Sequence, residues 1–129
     1  MPRKKSKNHY FRKEHQDAIV EYCQTQNPKR RNELYKVYIG PVFDEMVDKI
    51  VYTYKFTSLP NIDSLKEDCK NWLITVLNNF DPDKGSKAFT YFSVVSKNWF
   101  IAEVKKTSKK AKRETHLEEY FLTHSDQSN

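Results

Sequence analysis

Apolar residues recur at three- and four-residue steps along most of the chain and nowhere sustain strict alternation, so the pattern predicts helices and no strands. Over about residues 11–24, Ala18, Ile19, Tyr22 and Cys23 form a short stripe, closed by Asn27-Pro28 and the basic run Lys29-Arg30-Arg31. The next segment, 33–56, places Leu34, Tyr38, Val42, Met46, Ile50 and Tyr54 at successive steps of four, and Val37, Val47 and Val51 widen that line into a core-facing stripe. Pro41 falls inside it and should kink or split the helix, because proline has no amide N–H and its ring meets the carbonyl one turn back. A turn over 56–61 leads to the best-patterned helix. Asp63 or Ser64 is its expected N-cap, with Ser64 and Glu67 spaced as a capping box, and its core face reads Leu65, Cys69, Trp72, Leu73, Val76, Leu77 and Phe80. Asp81-Pro82-Asp83-Lys84-Gly85 stops it, Gly85 being able to take a positive φ.

The last predicted helix, roughly 87–110, is apolar on two sides. Phe89, Phe92, Val95, Trp99 and Ala102 form the expected core line, while Tyr91, Val94, Asn98, Ile101 and Lys105 make a second line at the same spacing, flanked by Lys97. Burial on two sides in a small bundle accounts for the second line, and so does a functional face. The fold class expected is an all-α, small helical bundle.

Composition narrows the chemistry. Leu, Ile, Val and Phe number 30 of 129 residues, enough for one small collapsed domain. The two glycines, Gly40 and Gly85, stand 45 residues apart, which excludes the clustered glycines of a phosphate-cradling loop. No apolar run reaches the length of a membrane span, and the basic N-terminus lacks a following apolar segment, so an intracellular protein is expected. Cys23 and Cys69 have no Cys or His neighbours at zinc-ligand spacing and read as buried thiols. His9, His15, His116 and His124 fall in no nucleophile–base order, and Asp81 and Asp83 flank Pro82 in a solvated turn instead of converging as a metal-binding pair. Neither an enzyme nor a cofactor is expected.

The formal charge of +6 is unevenly spread. Residues 1–31 carry +6, 32–96 carry −2, 97–113 carry +6 and 114–129 carry −4. This divides the chain into a basic flexible N-terminus (1–9), a helical domain (10–113) and an acidic tail (114–129). Basic residues interleaved with aromatics suit nucleic acid, because cations neutralise phosphates while rings stack on exposed bases. Lys97, Lys105, Lys106, Lys109, Lys110, Lys112 and Arg113 are placed to line a backbone, and Tyr91 and Trp99 to meet bases of an open strand. A solvated helix end also favours lysine through the helix dipole, yet seven cations against one acid in seventeen residues exceed what a dipole requires.

At this point the motifs resemble region two of bacterial sigma factors. The carriers are Asp63-Ser64-Leu65-Lys66-Glu67-Asp68, then Phe80-Asp81-Pro82-Asp83-Lys84-Gly85, then Lys87-Ala88-Phe89-Thr90-Tyr91. The continuation Lys97-Asn98-Trp99-Phe100-Ile101-Ala102-Glu103-Val104-Lys105-Lys106 looks closer to the late-gene sigma factors of T-even-type phages, as do Asp17-Ala18-Ile19-Val20-Glu21-Tyr22 and Ile39-Gly40 upstream. The likeness covers residues 10–113. It implies a non-enzymatic subunit that binds bacterial core RNA polymerase, in an infected host's cytoplasm, and directs it to a minus-ten-like late promoter. Leu65, Glu67, Asp68 and Asn71 would then grip the clamp helices of the largest subunit. Tyr91 would receive a flipped adenine and Asn98 would read a duplex base pair. Thr90, Val94 and Ile101 would border the promoter, with Lys87, Lys97, Lys105 and Lys106 on phosphates.

Departures from that pattern limit the implied activity. Val94-Val95 replace the tandem Trp of housekeeping sigma factors, Ala88 takes the place of the entry Phe, and no helix-turn-helix pattern follows Arg113. Late phage sigma factors also use a co-activator and a sliding clamp, and Leu117-Glu118-Glu119-Tyr120-Phe121-Leu122 resembles their hydrophobic-acidic clamp motif. The same segment also reads as an amphipathic tail docked on its own bundle. Without the resemblance, the alternative is a basic helical DNA-binding transcription accessory.

Overall fold

Helices are the only regular elements in the computed structural model of the chain, which describes residues 10–84 and 87–125. They are α1 (Lys13–Gln24), α2 (Pro28–Leu34), α3 (Gly40–Thr53), α4 (Ile62–Asn78) and α5 (Ala88–Ser125), with a π turn at Tyr35–Ile39 and 3₁₀ turns at Phe56–Ser58 and Pro82–Lys84. The all-α bundle expected from the periodicity is the fold observed. α3 packs against both α4 and α5, α4 packs against α5, and α1 covers a further side through contacts with α4 and α5.

The basic run 29–31, expected to close the first helical segment, instead lies in the first turn of a second helix. Asn27 takes an extended backbone and its Oδ1 accepts the Lys29 N–H at 3.0 Å, while Pro28 fills the first helical position, where no N–H is needed. From Pro28 the helical path continues to Thr53, because the π turn accommodates Pro41. The Gly40 N–H donates to the Tyr35 carbonyl five residues back, a wider loop than the α-helical one. A Cβ at Gly40 would lie 3.0 Å from that carbonyl oxygen and 3.1 Å from the Tyr35 ring, a tight fit that favours glycine in this turn.

The extra residue in the π turn shifts the buried face. The core line is Leu34, Ile39, Val42, Phe43, Met46, Val47, Ile50 and Val51, whereas Val37, expected inside, is 60% exposed and Tyr38 is only partly buried. Tyr54, the expected end of the stripe, sits beyond the last turn of α3 and is 47% exposed.

α4 begins three residues earlier than a Ser64 cap implies. Asn61 holds a left-handed backbone at φ 58 and its carbonyl accepts the Leu65 N–H at 3.0 Å, so Ser64 lies within the first turn and the Ser64–Glu67 capping box does not form. Cys69, Leu73, Val76 and Leu77 of α4, with Phe80 just after it, are buried as expected, but Leu65 is half-buried and Trp72 points outward. The turn after α4 is set by the Asp81 carboxylate, which accepts the Asp83 N–H at 2.9 Å. Gly85, expected to close this turn, lies outside the described residues.

On α5 the fully buried line is Ala88, Phe92, Ser96 and Phe100, every fourth residue. Phe89, Val95 and Trp99 flank it half-buried, and Ala102 is exposed, so the expected core line is rotated by about one position. Periodicity missed Ser96 because it is polar. Its hydroxyl is satisfied by donating to the Phe92 carbonyl at 2.7 Å, which lets a hydroxyl occupy the core without penalty. Phe92 meets Phe43 at 4.9 Å and Phe80 at 5.2 Å between ring centroids, and Phe100 stacks on Phe56 at 5.3 Å.

The helix does not stop near residue 110. Good helix formers and no Gly or Pro follow, and Lys110–Glu114 and His116–Glu119 pairs run along it, so the expected boundary at 113 lies inside α5. No helix among the described residues is long and apolar enough to cross a membrane.

The shifted phase of α3 has a direct check. Ile39→Ala should cost about 2–5 kcal/mol, as deletion of a fully buried side chain does, while Val37→Ala should stay within about 0.5 kcal/mol. Denaturant unfolding followed by circular dichroism reads both. Equal costs would contradict the π-turn register.

Candidate nucleic-acid and protein-binding surfaces

α5 gathers most of the expected promoter-facing residues on one side. At about 100° per residue, Thr90, Tyr91, Val94, Lys97, Asn98, Ile101 and Lys105 fall within an arc of about 120°. This arc lies away from the buried line of Ala88, Phe92, Ser96 and Phe100; Ile101 is half-buried, Lys97 is partly buried, and the others are exposed. The second apolar line of α5 is therefore an outer face and not a second buried one. Lys87, exposed, precedes the helix and its carbonyl accepts the Tyr91 N–H at 3.0 Å. Lys106 falls outside the arc, about 60° beyond its Tyr91 edge, and pairs with Glu103 at 3.2 Å. From Lys109 to Arg113 every side chain is exposed.

The aromatic members of this surface diverge. Tyr91, 37% exposed, leans on Phe80 at 5.0 Å and meets Phe92 edge-on at 5.3 Å; it borders a cavity of about 240 Å³ with Asn79, Phe80, Asp81 and Lys84. Trp99 is half-buried against Phe100 and packs on the core, so it is a supporting ring and not an open stacking platform. Lys97 points its ammonium at the Tyr54 ring, 4.5 Å from its centroid. The structure thus leads Lys97 and Val94 away from Tyr91 and into a separate groove floored by Ile50 and Phe89.

The N-terminal basic block contributes less free charge than its sum suggests. Arg30 forks onto Glu21, with Nη2 at 2.9 Å from Oε1, and reaches Glu33 at 3.2 Å. Hydrogen bonding from Arg30 holds the Glu21 carboxyl below its usual range. Arg31 donates from Nε to the Thr25 carbonyl at 2.9 Å and lies over the Tyr22 ring at 5.0 Å. Both arginines fasten α2 to the end of α1.

α4 offers a chemically different face. Asp68, Trp72, Thr75 and Asn79 stand at i, i+4, i+7 and i+11 and are all exposed, with Asn71 and Glu67 alongside. Trp72 was expected in the core, but it sits one position before Leu73 on the edge of the apolar face, and its alignment with Asp68 and Thr75 is the signal that places it outside. It is 46% exposed. Of the residues expected to bind polymerase, Asp68 and Asn71 lie open, Leu65 is half-buried, and Glu67 is engaged at 3.1 Å by Lys70.

Lys70 also reaches Asp44 on α3 at 3.1 Å, and Lys66 reaches Asp48 at 3.3 Å, so the opposite edge of α4 is clasped to α3. Burial disfavours the Lys70 ammonium, but hydrogen bonds to Glu67 and Asp44 outweigh it and raise its pKa. A raised lysine pKa stabilises the fold at neutral pH, and that contribution fades only as pH climbs through the folded value. Cys69 of α4 is buried beside Ser96 of α5, and burial pushes its thiol up to about 12, partly offset by the Ser96 hydrogen bond.

The end of α5 is not docked on the bundle. Every side chain described from Ala111 to Tyr120 is exposed, as is Leu122, and Leu117 is 51% accessible. The side chain of Phe121, named in the hydrophobic-acidic motif, lies outside the described residues.

The outward Trp72 makes a measurable difference. Trp72→Phe should remove the more quenchable part of the tryptophan emission and leave unfolding free energy within about 0.5 kcal/mol, because Trp99 is the more enclosed of the two. Acrylamide quenching of wild type and variant tests this, and unchanged quenching would return Trp72 to the core. Searches against protein-family models, curated proteins and solved structures find no match to this chain.

Proposed function

We propose that this protein is a sigma-factor-like specificity subunit of the late phage type, binding bacterial core RNA polymerase through α4 and minus-ten-like promoter DNA through α5. Catalysis on this reading belongs to the polymerase. The observation that carries it is the pairing of two unlike outer faces on adjacent helices. α4 presents Asp68, Trp72 and Asn71, while α5 presents Tyr91, Val94, Asn98 and Lys105. An exposed Trp framed by acidic and amide groups has the composition of a protein-interface anchor. A face of amide, aromatic and lysine has the donors and cations that DNA requires: Asn can pair bidentately with adenine, and lysines neutralise phosphate.

Within this proposal Tyr91 receives the extruded base. Its ring is braced from behind by Phe80 and Phe92 and keeps an accessible side. Stacking there offsets part of the few kcal/mol that unstacking a base costs. The end of α5, with exposed Leu117, Tyr120 and Leu122 beside Glu118 and Glu119, is in the same proposal the contact for a sliding clamp, by its hydrophobic-acidic composition, with a separate co-activator assisting melting. The host cytoplasm is the compartment this implies.

One observation favours the second reading, a DNA-binding transcription accessory without sigma activity. Lys105, Lys106, Lys109, Lys110, Lys112 and Arg113 are all solvent-exposed on one helix. That reading requires tight binding to DNA alone, with a log–log salt slope of roughly −0.9 per phosphate neutralised.

Capture on immobilised bacterial core polymerase decides between them. Wild type should be retained, and Asp68→Arg combined with Trp72→Ala should weaken retention by about 30-fold or more, with unchanged thermal unfolding. Tyr91→Ala should keep polymerase binding but lower permanganate reactivity at the melted promoter. Retention of the α4 double variant would remove the assigned contact, and no retention of wild type would leave the accessory reading.

A further inference from the structure

A concave site lies between the C-terminal half of α3, the segment before α1 and the inner half of α5, and it includes rings that neither face described above uses. Tyr10, Tyr54 and Phe89 bring aromatic surface to it, Val94 and Ile50 supply apolar walls, and its volume is about 300 Å³. That is the small end of the range for ligand sites and suits one flat ring system with its substituents. Each tyrosine is attended by a lysine: the Lys49 ammonium is 5.3 Å from the Tyr10 ring centroid, and that of Lys97 is 4.5 Å from the Tyr54 ring centroid. Among the described residues, neither lysine pairs with a carboxylate.

The rings are held in place from behind. Phe89 meets Tyr10 edge-on at 6.1 Å, and Tyr54 rests against Phe56, which stacks on buried Phe100. Burial and the nearby Glu45 charge push the Tyr10 hydroxyl up to about 12, so it stays a neutral hydrogen-bond donor across the physiological range. Flat aromatic walls, a neutral hydroxyl and two ammonium groups that rest on rings and not on carboxylates match a planar, hydrogen-bonding ring joined to an anion.

We infer that this groove binds one unstacked nucleotide, with the base against Tyr54 and its phosphate met by Lys49 and Lys97. A free nucleotide and a nucleotide of a single strand share this chemistry. Val94 and Lys97 also lie on the outer arc of α5, so a strand following that arc has a continuous path into the groove. The inference rests on the groove and not on polymerase binding.

The test is a titration of the full-length, isotopically labelled protein with adenosine monophosphate and, separately, with a single-stranded hexadeoxyadenylate, read by amide chemical shifts. The expected result is perturbation of Lys49, Tyr54, Val94 and Lys97, with affinity lowered about tenfold or more in Tyr54→Ala and retained in Tyr54→Phe. A response to the oligonucleotide alone assigns the strand as the source, and a response to the mononucleotide assigns the free ligand. Tyr54 is half-exposed, and Lys97→Gln provides a second variant that removes charge without opening the core. Three results would each overturn the inference: no shift at Tyr54 with either probe, equal binding by Tyr54→Ala, or occupation of the groove only by an acidic peptide spanning residues 114–125. Because Asp68 and Trp72 line no part of the groove, polymerase capture reports separately on the function proposed above.

Discussion

Proline at 41 imposes the constraint from which much of the bundle follows. An α-helix running from Pro28 to Thr53 has no N–H at Pro41 to offer the carbonyl one turn back, and the chain answers with a π turn over Tyr35–Ile39 instead of breaking. The inserted residue turns the following helix about its axis. Ile39 and Phe43 thereby enter the core, Val37 leaves it, and Phe43 meets Phe92 of α5. Gly40 suits the turn, since a Cβ there would sit tightly against the Tyr35 carbonyl and ring.

α5 is the second organising element, and its two halves obey different rules. Over its inner half, a four-residue line of Ala88, Phe92, Ser96 and Phe100 holds it in the bundle. Small Ala88 and Ser96 alternate with large rings, which fits the neighbouring aromatic residues between them. Beyond Lys105 no described side chain is buried, and a run of helix-forming residues without Gly or Pro, with Lys110 reaching Glu114, carries the helix onward. The same helix is thus a core element at one end and an exposed rod at the other.

That division bears directly on the functional proposal. The groups proposed to meet polymerase, promoter and groove-bound nucleotide all sit on or beside the well-packed part of the molecule, where α3 and α4 are clasped by lysine–carboxylate pairs and α5 is locked by its aromatic line. A rigid support of this kind keeps Trp72 and Tyr91 outward at little entropic cost to a partner. The cationic end, by contrast, contributes charge and reach more than shape.

Periodicity alone was enough to establish that the chain is helical, where most helices lie, and that α4 has one apolar face, because side-chain burial on a regular helix repeats with the backbone. The resemblance to sigma region two likewise came from linear motifs, and most of the residues it singled out on α5 do share one outer arc. The phase of α3, the outward Trp72 and the buried Ser96 were not legible in that way. Each depends on a property that spacing does not encode: a π turn that adds a residue to the register, a ring at the margin of a stripe whose direction is set by neighbouring helices, and a hydroxyl whose polarity is cancelled by a carbonyl one turn back. α5 runs past the end near residue 110 that the apolar spacing predicts, because no helix-breaking residue stands between there and Ser125. Sequence therefore determined the elements and the chemistry available on them. Tertiary structure alone decided which rings and charges meet, because Tyr10, the Lys49–Tyr54 stretch and Lys97 are far apart in the chain and become one groove only when the segment before α1, α3 and α5 pack together.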